Sequence, residues 1–334
     1  MSEFIKFVYT PIEHGDITLI ISACRSGGVG VLNAEYEINS TLIVNQLDLL
    51  AKKSCHGYGL KVDQLDEYLI AGIHDCTKKG LHWLIVDSKI VSIYEAFFQE
   101  LRHAGVKVLA ELKQSCWTNQ PLDQLVDGLV VKGNEAGGFV GENSSFILFQ
   151  KWHKQTTLPL YIHGGLTPQV AAACSAVGAA GGVFDSQVLL MDESRLPDFL
   201  RSMFSNLAGN ETVLVGNGEV GEYFRLLVRP GFIDVQAFMR EGEGQGYDTL
   251  KRLVNTKINW KELRKGLLPI GQDICFAGPW QKKYKHIVDL FKAVDTAIEE
   301  NLCQAIEAKI ISQNAPLAEA LGIPYPLVQG PMTR

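Results

Sequence analysis

The stretch "LPLYIHGGLTPQVAAACSAVGAAGGVFDS", residues 158–186, decides how the chain is to be read. An apolar run (158–164) ends on Gly164 and Gly165, a helical segment begins near Thr167, and a second glycine pair, Gly181 and Gly182, opens another apolar run (181–186). Strand, turn, helix and strand in that order make a crossover unit with two parallel strands. Glycines at a strand end let the backbone approach a ligand closely, and a following helix N-terminus favours an anion such as phosphate. The same glycines also serve a plain tight turn, and spacing alone leaves both readings open.

Upstream the pattern repeats. Apolar, β-branched runs at 5–10, 29–33, 57–62, 81–87, 106–112 and 128–132 precede the two already named. Between most of them lie segments of helical spacing, several closing on glycine (Gly27, Gly80, Gly105), as helix C-termini often do. Near-continuous apolar strands separated by helices indicate parallel strands covered on both faces. Periodicity alone allows an open doubly wound sheet. The count of eight, with glycine clusters after the sixth, seventh and eighth runs, favours an α/β fold of the (β/α)8 TIM-barrel type. Its site would lie at the C-terminal strand ends.

From about residue 195 the pattern changes to mostly helical segments, with 211–238 able to hold strands or a surface arm. The expected organisation is a barrel over 1–195, a helical extension packed on it over 196–312, and a linker with the start of a second similar domain over 313–334.

Composition bounds the function. The chain has 334 residues, 46% hydrophobic and 20% charged, with a net charge of −6. Nucleic acid is disfavoured as a partner, because neutralising phosphates needs clustered Lys and Arg. The runs "KELRK" (261–265) and "QKKYKH" (281–286) read as solvated helix faces. The seven cysteines are scattered singly, without C-x-x-C, which suits a reducing cytoplasm better than a disulfide framework. The N-terminus lacks the pattern of a signal peptide, and no apolar run is long enough to span a bilayer. No His, Asp or Glu cluster has metal-ligand spacing, so no metal is expected.

The sixth run leads into "KGNEAGGFVG", residues 132–141. Lys132 at the strand end could bring positive charge to a ring or a phosphate, and Glu135 could accept a hydrogen bond from a bound ligand. A solvated pair of side chains explains them equally well.

These residues carry a resemblance. "VVKGNEAGGFVG" (130–141) followed by "LYIHGGLTPQVAAACSAVGAAGGV" (160–183) is similar to the paired signature of the nitronate monooxygenase family, formerly 2-nitropropane dioxygenase. That family includes FMN-dependent enoyl-acyl carrier protein reductases. "CRSGGVGVLNAE" (24–35) resembles its Gly-Gly stretch after the first helix, and "LLPIGQDICFA" (267–277) its C-terminal Pro-x-Gly-Gln segment. The similarity spans roughly residues 5 to 300, with motif order preserved.

The resemblance implies FMN at the barrel mouth, with NADPH or NADH as reductant. Lys61 stands where an asparagine commonly faces the flavin, and Lys132 where a glutamine often does. Gly137 and Gly138 match the loop lining the ring, and Gly164 and Gly165 the first phosphate-binding turn. Ser186 and Gln187 fall where that site is completed. Glu135 and Phe139 would border the substrate, a small or carrier-bound acyl chain. Phe139 occupies the position of a histidine that many members use as base, and a phenyl ring cannot take a proton. His163 and His14 are then the candidate replacements, while His56 is a further histidine near a strand end. The family's Gly-Pro-Met turn is missing after the first strand, yet "LGIPYPLVQGPMTR" (321–334) resembles it. That suggests a tandem arrangement, for which polyketide and polyunsaturated fatty-acid synthases are hosts. Acyl-chain reduction is the expected activity. The alternatives are a catalytically degenerate barrel serving as scaffold or docking module, and a nitronate monooxygenase with a relocated base.

Overall fold

Parallel strands can pair only if the chain crosses back between them, and this chain does so around a complete circle. The computed structural model describes residues 3–11, 16–37, 39–53, 57–114, 122–217, 222–228, 235–242, 247–260 and 266–330. Its barrel strands are β1 (Ile5–Tyr9), β2 (Val29–Asn33), β3 (Tyr58–Val62), β4 (Leu81–Asp87), β5 (Lys107–Leu112) and β6 (Gly128–Lys132). A short strand, β7 (Gly138–Val140), then leaves the barrel before β8 (Leu160–His163) and β9 (Gly181–Phe184) complete it. β9 pairs in parallel with both β8 and β1, so the sheet has no open edge. The eight runs read from the sequence are these eight strands.

The crossovers carry α1 (Ile17–Arg25), α2 (Ser40–Lys52), α3 (Glu67–Thr77), α4 (Glu95–His103), α5 (Leu122–Leu125), α6 (Ser145–His153) and α7 (Pro168–Ala176). Their starts follow local chemistry. Asp16, Asn39, Asp66, Ser144 and Thr167 each accept a hydrogen bond from a backbone N–H of the first turn, and Pro168 takes the position where its missing donor costs nothing. Beyond the barrel come α8 (Asp198–Phe204), an antiparallel hairpin of β10 (Thr212–Asn217) and β11 (Glu222–Leu227), α9 (Val235–Gly242), α10 (Tyr247–Asn255) and α11 (Ala277–Lys283). α12 (Ile287–Ala308) returns to pack against α7 and α1, and α13 (Pro316–Leu321) follows. Segment 211–238 thus holds two strands, and β11 pairs with β7 to bind the extension to the barrel. No helix among the described residues is long and apolar enough to cross a membrane.

Because successive strand residues face opposite sides, each barrel strand feeds two cores. Val8, Leu60, Leu84, Val86, Val108, Ala110, Leu129, Val131 and Ile162 join the layer between the barrel and its helices. Phe7, Val31, Ile85, Leu109, Val130, Tyr161 and Val183 fill the interior, closed by Trp83 edge-on to Phe7 at 5.1 Å. A third cluster, around Phe139, Phe224, Leu226, Trp260 and Leu268, belongs to the β7–β11–β10 sheet and the helices over it.

The first crossover is tight enough to test. A Cβ at Gly30 would lie 2.3 Å from the Ile20 carbonyl oxygen and 2.5 Å from its Cα, where no side-chain rotation gives relief. Gly30→Ala is expected to cost about 1–3 kcal/mol or more, as overpacking does, read as a lowered urea midpoint with an unchanged slope.

Candidate active site at the barrel mouth

Two residues beyond the apolar interior layer, every barrel strand presents a polar residue to the C-terminal mouth. Phe7 is followed by Tyr9, Val31 by Asn33, Gly59 by Lys61, Ile85 by Asp87 and Leu109 by Glu111. Val130 is followed by Lys132, Tyr161 by His163 and Val183 by Asp185. Glu35, just past β2, and Lys113, just past β5, complete the layer. Most of these groups are almost wholly buried, so each charge must be met by its neighbours.

They meet one another. Lys61 Nζ lies 2.6 Å from Glu35 Oε2 and 2.8 Å from Glu111 Oε2. Lys113 Nζ lies 2.6 Å from Asp87 Oδ2. Lys132 Nζ stands farther off, 3.7 Å from Glu35 and 3.8 Å from Glu111. His163 bridges two acids, with Nε2 3.0 Å from Asp185 Oδ2 and Nδ1 3.6 Å from Glu111 Oε2. Its ring meets the Tyr9 ring edge-on at 5.3 Å, and the Tyr9 hydroxyl has no hydrogen-bond partner among the described residues.

Burial and partners pull in opposite directions here. Burial alone would raise the Glu35 carboxyl, but Lys132 and Lys61 bring it down to about 2. Burial likewise works against the ionised forms of Glu111 and Asp185, yet Lys132 and Lys61 hold Glu111 well below the usual range, and His163 lowers Asp185. For Lys61 the carboxylates of Glu111 and Glu35 outweigh burial and raise it. For Lys132, with longer contacts, burial wins and its ammonium loses protons more readily than usual.

A lid, residues 267–276, crosses this layer. Its strand end is fixed by Leu227 N–H donating to the Leu268 carbonyl at 2.9 Å. Gln272 N–H donates to the Glu135 carbonyl at 2.7 Å, and Gly271 N–H to Ser186 Oγ at 3.1 Å. Gly137 is required by that closeness, since a Cβ there would lie 2.3 Å from the Pro269 carbonyl oxygen. Under the lid, the Asp273 carboxyl accepts from Gly165 N–H at 2.9 and 3.1 Å and from Gln187 Nε2 at 2.9 Å.

The residues singled out from the sequence therefore gather, but with different occupations. Lys61, Lys132 and His163 share the ion cluster; His14 and His56 lie outside the described residues. Gly164 and Gly165 form a turn at φ 115° and 68°, conformations suited to glycine. Gly138, at φ 79°, starts β7, and Ser186 and Gln187 hold the lid. Glu135 caps α6, its Oε2 accepting from Ser145 N–H at 3.1 Å. Phe139 turns away from the mouth into the third cluster, 5.1 Å from Phe224 and 5.5 Å from Tyr36, whose hydroxyl accepts the Phe139 N–H. Sequence reasoning missed Glu35, Asp87, Glu111, Lys113, Asp185 and Asp273. For most of the strand residues the signal was present, as a polar residue two places after an inward apolar one.

The space that remains tests a cofactor. The cavity enclosed by Thr10, Asn33, Lys132, His163, Asp185 and Trp260, among others, has a volume of about 20 Å³. That holds a water molecule, whereas small-molecule sites measure roughly 300–1,000 Å³. The lysines and the glycine turn suit the charge of FMN; the volume and the carboxyl on Gly165 do not. FMN does not fit the mouth as it is arranged here.

No family model matches this sequence, and no curated protein matches it. Solved structures do. FabK from Thermotoga maritima superposes with a TM-score of 0.72 at 16% identity, covering 90% of this chain and 94% of its own. Nitroalkane oxidase from Streptomyces ansochromogenes gives 0.64 at 15%, covering 89% and 96%. The enoyl reductase domain of MlnA, from the macrolactin biosynthesis cluster of Bacillus amyloliquefaciens, gives 0.64 at 12%, covering 90% and 95%. At these identities the likeness establishes the fold, extension included, and it is to the kind of protein that the motifs resemble.

Two measurements check the ion cluster. Lys61→Met leaves Glu35 and Glu111 buried without their nearest cation, and a loss of about 3–5 kcal/mol is expected in urea unfolding, as for other broken buried pairs. Acid acts in the same direction. The Glu35 carboxyl titrates at about 2 when folded and near its ordinary 4.5 when unfolded, so its stabilisation is complete above pH 4.5 and lost as pH falls towards 2. Glu111 and Asp185 are lowered too and add to that loss. Asp273, raised by burial and then by Asp185, opposes it, favouring the folded state at low pH. The Tm should fall between pH 4.5 and 2, and more steeply than in Glu35→Gln.

Proposed function

We propose that this chain is an oxidoreductase barrel of the enoyl reductase and nitroalkane oxidase kind, acting on acyl intermediates of a polyketide or fatty-acid synthase in the cytoplasm. The observation that carries this reading is the extent of the fold likeness: it covers nine-tenths of the chain, and one of the similar structures is an enoyl reductase domain from a macrolactin cluster. Barrel enzymes work at the C-terminal strand ends, and there this chain places its titratable residues.

FMN is the cofactor that the reading calls for, with NADPH or NADH as reductant; it would supply the redox chemistry while the protein orients and tunes it. In the arrangement described, Asp273 has to leave Gly165 before a phosphate can be held there. Lys61 and Lys132 are the cations placed to balance negative charge at the mouth. His163, steered at Nε2 by Asp185, is a titratable group facing the cavity, and with Phe139 packed in the sheet it is the nearest replacement for the histidine of the family motif. The substrate would be a free or carrier-bound acyl chain, with other synthase domains as partners.

A second reading is favoured by a specific observation, the closed mouth. A barrel with a cavity of about 20 Å³ and an anion turn already taken by a side chain would serve the same synthase as a scaffold or docking module.

Visible spectroscopy separates the two. If the chain is an oxidoreductase, FMN added in excess is taken up with a shift of its absorbance and bleached anaerobically by NADPH or NADH. An FMN spectrum left unchanged up to millimolar concentration by the wild type and by Asp273→Gly alike removes the redox reading and leaves the scaffold.

A further inference from the structure

We propose that Asp273 is a built-in occupant of the anion-binding turn, its carboxyl standing on Gly165 and Gln187 in the place of a phosphoryl group and competing with any phosphate-bearing ligand for it. The proposal deepens the oxidoreductase reading by naming what guards its cofactor site, and it rests on that reading only for the identity of the ligand.

The geometry is that of a donor pair already in use. Gly164 and Gly165 are consecutive residues at positive φ, directly after β8. Gly165 N–H is forked between the two Asp273 oxygens, and Gln187 Nε2 bonds Oδ2. Gln187 is itself oriented, because its Oε1 accepts the Asp185 N–H at 2.8 Å, which turns its amide donors towards Asp273 and the Leu166 carbonyl. A phosphate oxygen would need the same two donors.

Asp273 is brought there by the lid, not by the barrel. The 267–276 segment is pinned to β11 through Leu268, to the Glu135 carbonyl through Gln272 and to Ser186 through Gly271. With 2% of its surface exposed, Asp273 lies beneath those three anchors. A phosphate dianion entering beside it would also meet Asp185 and Glu135, the acids that join burial in pushing the Asp273 carboxyl well above its ordinary range. The carboxyl and a phosphate need the same two donors in a closed pocket, and Asp185 and Glu135 add repulsion against the phosphate, so the two occupants exclude each other.

The test uses the full chain and inorganic phosphate, FMN and riboflavin as probes. Asp273→Gly frees the turn, Asp273→Ser does so with less backbone freedom, and Asp273→Asn keeps the shape and one acceptor. In Asp273→Gly or Asp273→Ser, phosphate at about ten times its dissociation constant should raise Tm by about 2 °C. The wild type and Asp273→Asn should respond markedly less. FMN should bind the opened variants about tenfold or more tightly than it binds the wild type, and also more tightly than riboflavin, which lacks the phosphate, as expected for a charge-assisted hydrogen bond gained. In the wild type itself, the Gly165 amide should be protected from hydrogen exchange. Equal phosphate responses in wild type and folded variants, no response in either, or an unprotected Gly165 amide overturn the proposal. Phosphate binding to the opened variants without preference for FMN upholds the turn and sinks the flavin reading alone.

Discussion

The structure depends on a single electrostatic constraint: a layer of ionisable side chains buried across the mouth of a closed barrel has to neutralise itself. Lys61, Lys113 and Lys132 face Glu35, Glu111, Asp87 and Asp185, with His163 between two of the acids. Desolvating so many charges costs several kcal/mol per ion unless contacts are close and mutual. That requirement ties together strands far apart in sequence, since Lys61 on β3 draws on Glu111 on β5 and on the residue just past β2. The arrangement is correspondingly sensitive to the loss of any one member.

The same constraint limits what the mouth can admit. A cluster satisfied from within has little need of a ligand's charge, and the lid adds Asp273 where an anionic group would otherwise sit. The fold is shared with FabK and nitroalkane oxidase, and the glycine turns and cations gather at the mouth, while the space between them is filled by the chain's own side chains. Fold and site therefore speak to different questions here, as they do in barrels generally. Phe139 illustrates the shift: the β7–β11 pairing turns its ring into the sheet's core beside Phe224 and Tyr36.

Much was legible beforehand. The strand–glycine–helix unit at 158–186 and its upstream repeats identify the eight barrel strands, because parallel strands buried on both faces leave long apolar runs that only crossovers can separate. "TP" at 167–168 marks a helix start through capping chemistry alone. Lys132 and His163 were recognisable as residues at strand ends. Glu111, Asp87 and Asp185 carried a signal of the same kind, a polar residue two places beyond an inward apolar one, but nothing local says that acids on different strands will share one lysine. Segment 211–238 was ambiguous for a related reason: β11 finds one of its partners in β7, which is three residues long and lies some eighty residues earlier.

The amino-acid sequence by itself determined the eight strands, their parallel direction and the glycine turns that follow them, because strand periodicity, glycine turns and helix caps are local properties of neighbouring residues. Only the tertiary structure decided how the polar layer at the mouth is used. Closing the sheet brought β3, β5, β6 and β8 within ion-pair distance, and folding back the 267–276 segment placed Asp273 on Gly165, more than a hundred residues away. Such contacts depend on how strands and lid are assembled in space, and no spacing along the chain encodes them.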